Sequence, residues 1–166
     1  MDPPFIRSFI ASVRNVFSKM LQLDVAVGEP TPIVDLGPSD HVAGIIKFSG
    51  DLVGNFVLHF PVGTGERIVS LFTGEAITSD HDDFADAIGE LVSMVAGSAK
   101  ADFKGRDVSI SCPSVVIGEG DHIEQPRDLP CVTIPCQSDY GEFIIEICIQ
   151  DRGAESCTTA GSRNAA

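Results

Sequence analysis

The sequence predicts an α+β fold built twice over, two helix-plus-antiparallel-strand halves packed together. Three observations carry that expectation. DVAVGEPTPIVDLG, opening at Asp24, is echoed 83 positions later by DVSISCPSVVIGEG, opening at Asp107, with Pro30 answering Pro113 and Gly37 answering Gly120. DLVGNFVLHF from Asp51 then resembles DYGEFIIEIC from Asp139, with Gly54 facing Gly141 and Phe56 facing Phe143 at a separation of 87. Each copy is also led by a segment of helical apolar spacing and closed by strand-like runs. The matches keep the same order, and the small drift between them is what a loop insertion produces.

Taken in order, Phe9, Val13, Val16, Phe17 and Met20 recur at helical spacing and predict an amphipathic helix over roughly residues 5–22, with Pro3 and Pro4 suited to its start. VAGIIKF and NFVLHF, separated by SGDLVG, read as a β-hairpin rich in β-branched and aromatic residues. PVGTGERIVSLFTG adds a short helix ending at Gly74. A longer helix spans roughly 80–103, with Ser79 as its N-cap and Asp82 and Asp83 in its first turn, where the positive end of the helix favours acids. Strands follow near 107–112, 114–118, 131–137 and 142–150. The polar segment GEGDHIEQPRDLP reads as a long loop, and residues 1–150 as one domain with pseudo-repeats at about 5–60 and 80–150. The last stretch, 151–166, has little to bury and reads as a disordered tail.

The 166 residues suffice for one real core. A net charge of −13 argues against nucleic acid, whose phosphates need a basic face. No apolar run reaches the roughly 18 residues of a membrane span, and the N-terminus lacks a secretory pattern, so a cytoplasmic protein is expected. Cys112, Cys131, Cys136, Cys148 and Cys157 form an odd set without CxxC spacing and read as reduced thiols. Cys131 and Cys136 lack the partner pair that zinc needs, and His41, His59, His81 and His122 are scattered without ligand spacing. GTGER at 63–67 is no phosphate loop, since no Lys-Ser/Thr follows.

The helix containing DAIGELVSMVAG is the informative element. At about 100° per residue, Phe84, Ile88, Leu91, Val92, Val95 and Ala99 share one stripe, the core side. Asp83, Asp86, Glu90, Ser93 and Gly97 fall on nearly the opposite side, and residues three apart are surface neighbours. Glu90 and Ser93 are therefore able to act on one partner group. Gly89 and Gly97 each cost about 1 kcal/mol against Ala, which a merely solvated face would not need. At the 83-residue offset the first helix has Arg7 for Glu90 and Ile10 for Ser93, so the chain carries at most one such site.

With these residues set out, the chain resembles the chemotaxis phosphatase CheX family, within the CheC/CheX/FliY group, over residues 5–150. The resemblance rests on FIRSFIASVRNVFSKMLQLDV, DDFADAIGELVSMVAG, PSVVIGEG and DYGEFIIEICI. It implies a CheC-like internally duplicated fold that, in the CheX type, keeps a single site in the second half. It further implies hydrolysis of the phospho-aspartate of a CheY-like response-regulator receiver in two-component signalling. No cofactor of its own is implied, the Mg²⁺ belonging to the receiver, and a homodimer is expected. The family motif is a Glu followed three residues later by Asn: the Asn amide orients the attacking water and the Glu pairs with a receiver lysine. Glu90 matches, whereas Ser93 stands where the Asn is expected; Asp83, Asp86 and Gly97 would line the contact with the partner. A hydroxyl donates and accepts, so it can hold a water, but it is about one bond shorter than a carboxamide. Three readings stay open: a phosphatase using Ser93, one recruiting Asp86, or an adaptor that binds receivers without catalysis.

Overall fold

The computed structural model describes residues 3–31, 40–118 and 129–152. Helix α1 (Pro3–Leu21) leads to the short strand β1 (Ala26–Val27), then β2 (His41–Gly50) and β3 (Leu52–Pro61). Helices α2 (Val62–Thr73) and α3 (Asp82–Ala101) follow, and then β4 (Val108–Ile110), β5 (Ser114–Gly118), β6 (Cys131–Ser138) and β7 (Gly141–Asp151). Most of the long polar segment 118–130 (residues 119–128) and most of the tail 151–166 (residues 153–166) fall outside the described residues, while Asp151, expected in the tail, is the last residue of β7.

Rather than one sheet per half, the strands form a single antiparallel sheet, ordered β1-β6-β7-β3-β2-β4 with β5 also on β2. The halves are interlocked. The strand after α1 pairs with the second hairpin (Ala26↔Gln137, Val27↔Cys136), and the strand after α3 pairs with the first (Ser109↔Ser49, Ile110↔Phe48). These ladders correspond residue for residue, and the bridge Thr31↔Thr133 answers Ser114↔Ile45 in the same register. Followed through the hairpins, that correspondence sets Leu52 against Gly141 and Phe56 against Ile145. This is two residues along from the sequence match of Gly54 with Gly141. A two-residue slip keeps every side chain on its own face of the pleat, so the sequence pattern does not resist it.

Alternation along the strands sends Phe56, Leu58, Phe60, Phe143, Ile145 and Ile147 to the helix-covered face, where they meet Phe9, Val13, Val16 and Phe17 of α1. Met20, expected in that stripe, is instead 47% exposed, and Leu21 is buried in its place. Phe9 stacks on Phe56 and Phe17 on Phe143, so α1 bridges both hairpins. On the opposite face Ala43, Ile45 and Val57 form a smaller cluster. Burying such side chains contributes about 1.5–3 kcal/mol each.

Two local expectations are corrected. α3 is capped by His81, not Ser79: the His81 Nδ1 accepts the Asp83 backbone N–H at 3.0 Å, the place an Asx or Ser oxygen usually takes. Nor are all the cysteines reduced thiols, because Cys131 and Cys148 form a disulfide. They face each other directly across the β6–β7 ladder, a register that spacing in the sequence alone does not reveal. α2 ends as expected at Gly74, whose left-handed backbone (φ 76°) returns its N–H to the Ser70 carbonyl.

Candidate functional site

α3 lies across β2, beside α1, and its core stripe is as expected: Phe84, Ile88, Leu91, Val92, Val95 and Ala99 are all buried. That burial fixes the helix rotation and leaves Asp83, Asp86 and Glu90 exposed. Ser93 and Gly97 are half-buried on the same face. Among the described residues neither Glu90 nor Ser93 takes part in a hydrogen bond or ion pair. The structure therefore brings all five sequence-predicted residues onto one strip of one helix, with the carboxylate and hydroxyl unengaged.

The two helix glycines separate on inspection. A Cβ on Gly89 would come within 3.1 Å of the Pro113 ring, so Gly89 lets the segment before β5 press against α3. A Cβ on Gly97 would meet nothing within 4 Å, so internal packing does not account for that glycine. The electrostatics are one-sided: Asp82, Asp83, Asp86 and Glu90 line the first half of the helix, and Lys100 closes its last turn. Asp83 Oδ2 lies 3.9 Å from the capping His81 ring, an exposed contact worth little. An acid strip with an unengaged carboxylate suits a partner that brings a cation.

Other expectations are also placed. His59 Nε2 meets Glu146 Oε2 at 3.0 Å, and both are buried on the sheet face away from the helices. Sequence reasoning missed this pair, since only the β3–β7 register makes residues 87 apart neighbours. The neighbouring His41 has its pKa lowered, mainly by burial and then by His59, against the opposing pull of Asp40. Among the described residues no cluster of His, Cys, Asp or Glu could hold a metal ion, and no helix is long and apolar enough to cross a membrane.

These features define a class: a duplicated CheC-like α+β fold with one acid–hydroxyl pair, an exposed Glu and a half-buried Ser, carried on the helix of the second half. The chemotaxis phosphatase CheX family model matches residues 42–137. The chain resembles a CheC-like superfamily protein from Shewanella sp. PV-4, at 31% identity and TM-score 0.79, over 90% of this chain and 99% of that one. It is similar to the CheX of Desulfovibrio desulfuricans at 26% identity and TM-score 0.78, over 88% and 99%. It shares its fold with the Borrelia burgdorferi CheX of a CheX–CheY–BeF3–Mg complex, at 19% identity and TM-score 0.75, over 88% and 97%. No curated protein matches the sequence. The chain belongs to the CheX family.

Proposed function

We propose that this protein is a CheX-type phosphatase acting on the phospho-aspartate of a CheY-like receiver domain, with α3 as the docking helix. The observation that carries the reading is the placement of exposed Glu90 and half-buried Ser93 three residues apart on one strip of α3, neither of them engaged in a hydrogen bond among the described residues. Glu90 pairs with a receiver lysine and sets the orientation. Ser93 holds the attacking water in line with the phosphorus, and Mg²⁺ and the acyl phosphate are both the receiver's. Such a reaction asks the enzyme for positioning more than for covalent chemistry. Asp83 and Asp86 add to the attraction, and the bare backbone at Gly97 lets the receiver approach closely. The Borrelia complex of a CheX with CheY, BeF3 and Mg supports a receiver as the partner.

Ser93 itself favours the second reading, an adaptor that docks on receivers without hydrolysing them, because the hydroxyl is short and half-covered. Following decay of a phosphorylated receiver separates the two. Acceleration above spontaneous loss supports the phosphatase; undiminished lifetime alongside measurable binding leaves the adaptor.

A homodimer, which the family resemblance implies, has an edge to use. β5 pairs with β2 on one side only among the described residues, and its Ile117 is 38% exposed. Sedimentation of the wild type against Ile117→Lys checks this: a monomer in both would remove the dimer.

A further inference from the structure

Cys131 is the first residue of β6, and Cys148 stands directly across from it in β7, with Cα atoms 4.1 Å apart. We propose that this disulfide is a reversible redox modification site, opened by a dithiol reductant of the thioredoxin class and reclosed by an oxidised thiol, which sets how firmly the β6 edge of the sheet is held. Three observations support it.

First, the ladder holds the register without the bond. Pairs run from Cys131↔Cys148 to Ser138↔Gly141, closed by the turn at Asp139 and Tyr140, so the two thiols stay side by side after reduction and rejoin without a search. Second, the two sulfurs are unequal. Cys131 is half-buried whereas Cys148 is fully buried, so a reductant reaches the Cys131 sulfur and Cys148 leaves. Third, the leaving sulfur has buried polar company. Cys148 Sγ is 3.6 Å from Glu146 Oε1, and the other oxygen of that carboxylate meets His59 Nε2 at 3.0 Å. A freed Cys148 thiol donates to this carboxylate instead of being buried without a partner.

The exchange balances. A reductant thiolate attacks Cys131 Sγ, forming a mixed disulfide and expelling Cys148 as thiolate, which takes a proton. The second reductant thiolate then attacks its own sulfur in the mixed disulfide and releases Cys131, which takes the other proton. Two electrons and two protons pass from the dithiol to the protein. The remaining described cysteines do not compete. Cys136 is buried with its thiol pushed up to about 12, and Cys112 is exposed but lies between β4 and β5, at the opposite side of the sheet. What the bond secures is a thin edge: among the described residues, beyond β6 lie only the two-residue β1 and the Thr31↔Thr133 bridge.

The test uses the full chain purified without reductant. Native alkylation with peptide mass mapping is expected to leave Cys131 and Cys148 unmodified. After incubation with reduced thioredoxin, Cys131 is expected to be alkylated with the far-ultraviolet circular dichroism intact, amide exchange at 129–134 is expected to rise several-fold, and oxidised glutathione is expected to restore protection. The double variant Cys131→Ser/Cys148→Ala should show the exchange pattern of the reduced wild type; should it not fold, the wild-type alkylation and dichroism decide alone. Alkylation of both cysteines before any reduction would overturn the proposal. A bond that opens only where the dichroism collapses would overturn it too, by making the disulfide purely structural.

Discussion

α1 and α3 hold corresponding places in the two halves, yet only α3 carries the acid–hydroxyl pair. Both bury a full apolar stripe against the same sheet, and each is followed by a short strand that crosses to the other half's hairpin. On the outward side they diverge. α1 has no acid along its length and presents Arg7 and Arg14, with Ile10 half-buried and packed against the core. α3 presents Asp83, Asp86 and Glu90, with Ser93 where α1 has Ile10. Duplication preserves what the shared core demands, because a lost core side chain costs about 2–5 kcal/mol. The outward face carries no such constraint, and the acid–hydroxyl pair there stands in one copy alone.

The largest effect expected from breaking this asymmetry comes at the hydroxyl. Ser93→Asn restores the length of a carboxamide, and since about 1 Å of misplacement costs about 100-fold, receiver dephosphorylation should rise by up to about 100-fold. A rate unchanged by the added reach would mean that Ser93 does not face the water.

Next comes the charge. Glu90→Ala removes a charge-assisted contact of about 1.5–3 kcal/mol, so receiver affinity should fall about 10- to 150-fold, while Arg7→Ala, its counterpart on α1, should leave affinity unchanged. Titration calorimetry of both variants decides the matter; equal losses would mean that the helices share the docking surface.

A third contrast lies within the sheet. The β1 ladder pairs Val27 with Cys136 where the β4 ladder pairs Ile110 with Phe48. Burial pushes the Cys136 thiol up from its ordinary 9.0 to about 12, with Arg14 pulling weakly the other way. The unfolded chain therefore loses this proton before the folded one does. The stability tied to the neutral thiol is whole below about pH 9 and is lost as pH rises toward 12. Denaturant midpoints compared at pH 8 and 10.5 should fall further for the wild type than for Cys136→Val. Phe48, having no proton to lose, gives its half no such limb.

What the sequence made legible follows from period. The 3.6-residue spacing in α3 named both its buried stripe and the opposite strip of five, three of them exposed and two half-buried, and alternation marked the hairpins. Register was not legible. Two-residue slips leave the pattern intact, so Leu52 rather than Gly54 answers Gly141, and neither the Cys131–Cys148 bond nor the His59–Glu146 pair announced itself. Met20 misled because the stripe drifts around a helix as it ends, and Leu21 takes the last core place. His81 displaced Ser79 because an imidazole nitrogen accepts an N–H as an oxygen does.

The smallest expected effect separates the two glycines of α3, and it tests docking independently of chemistry. Gly97→Ala meets open space, so the helix gains up to about 1 kcal/mol of stability from the better helix former. Gly89→Ala gains the same propensity but drives a methyl to 3.1 Å from Pro113, so its net change should be near zero or unfavourable. If Gly97 lies under the receiver's backbone, the stabilised Gly97→Ala protein should bind the receiver more weakly than wild type. Gly89→Ala, shielded by Pro113, should bind as wild type does. Stability and affinity moving in opposite directions at one glycine, and not at the other, is a pattern that helix propensity alone does not produce; parallel gains at Gly97 would place the receiver elsewhere.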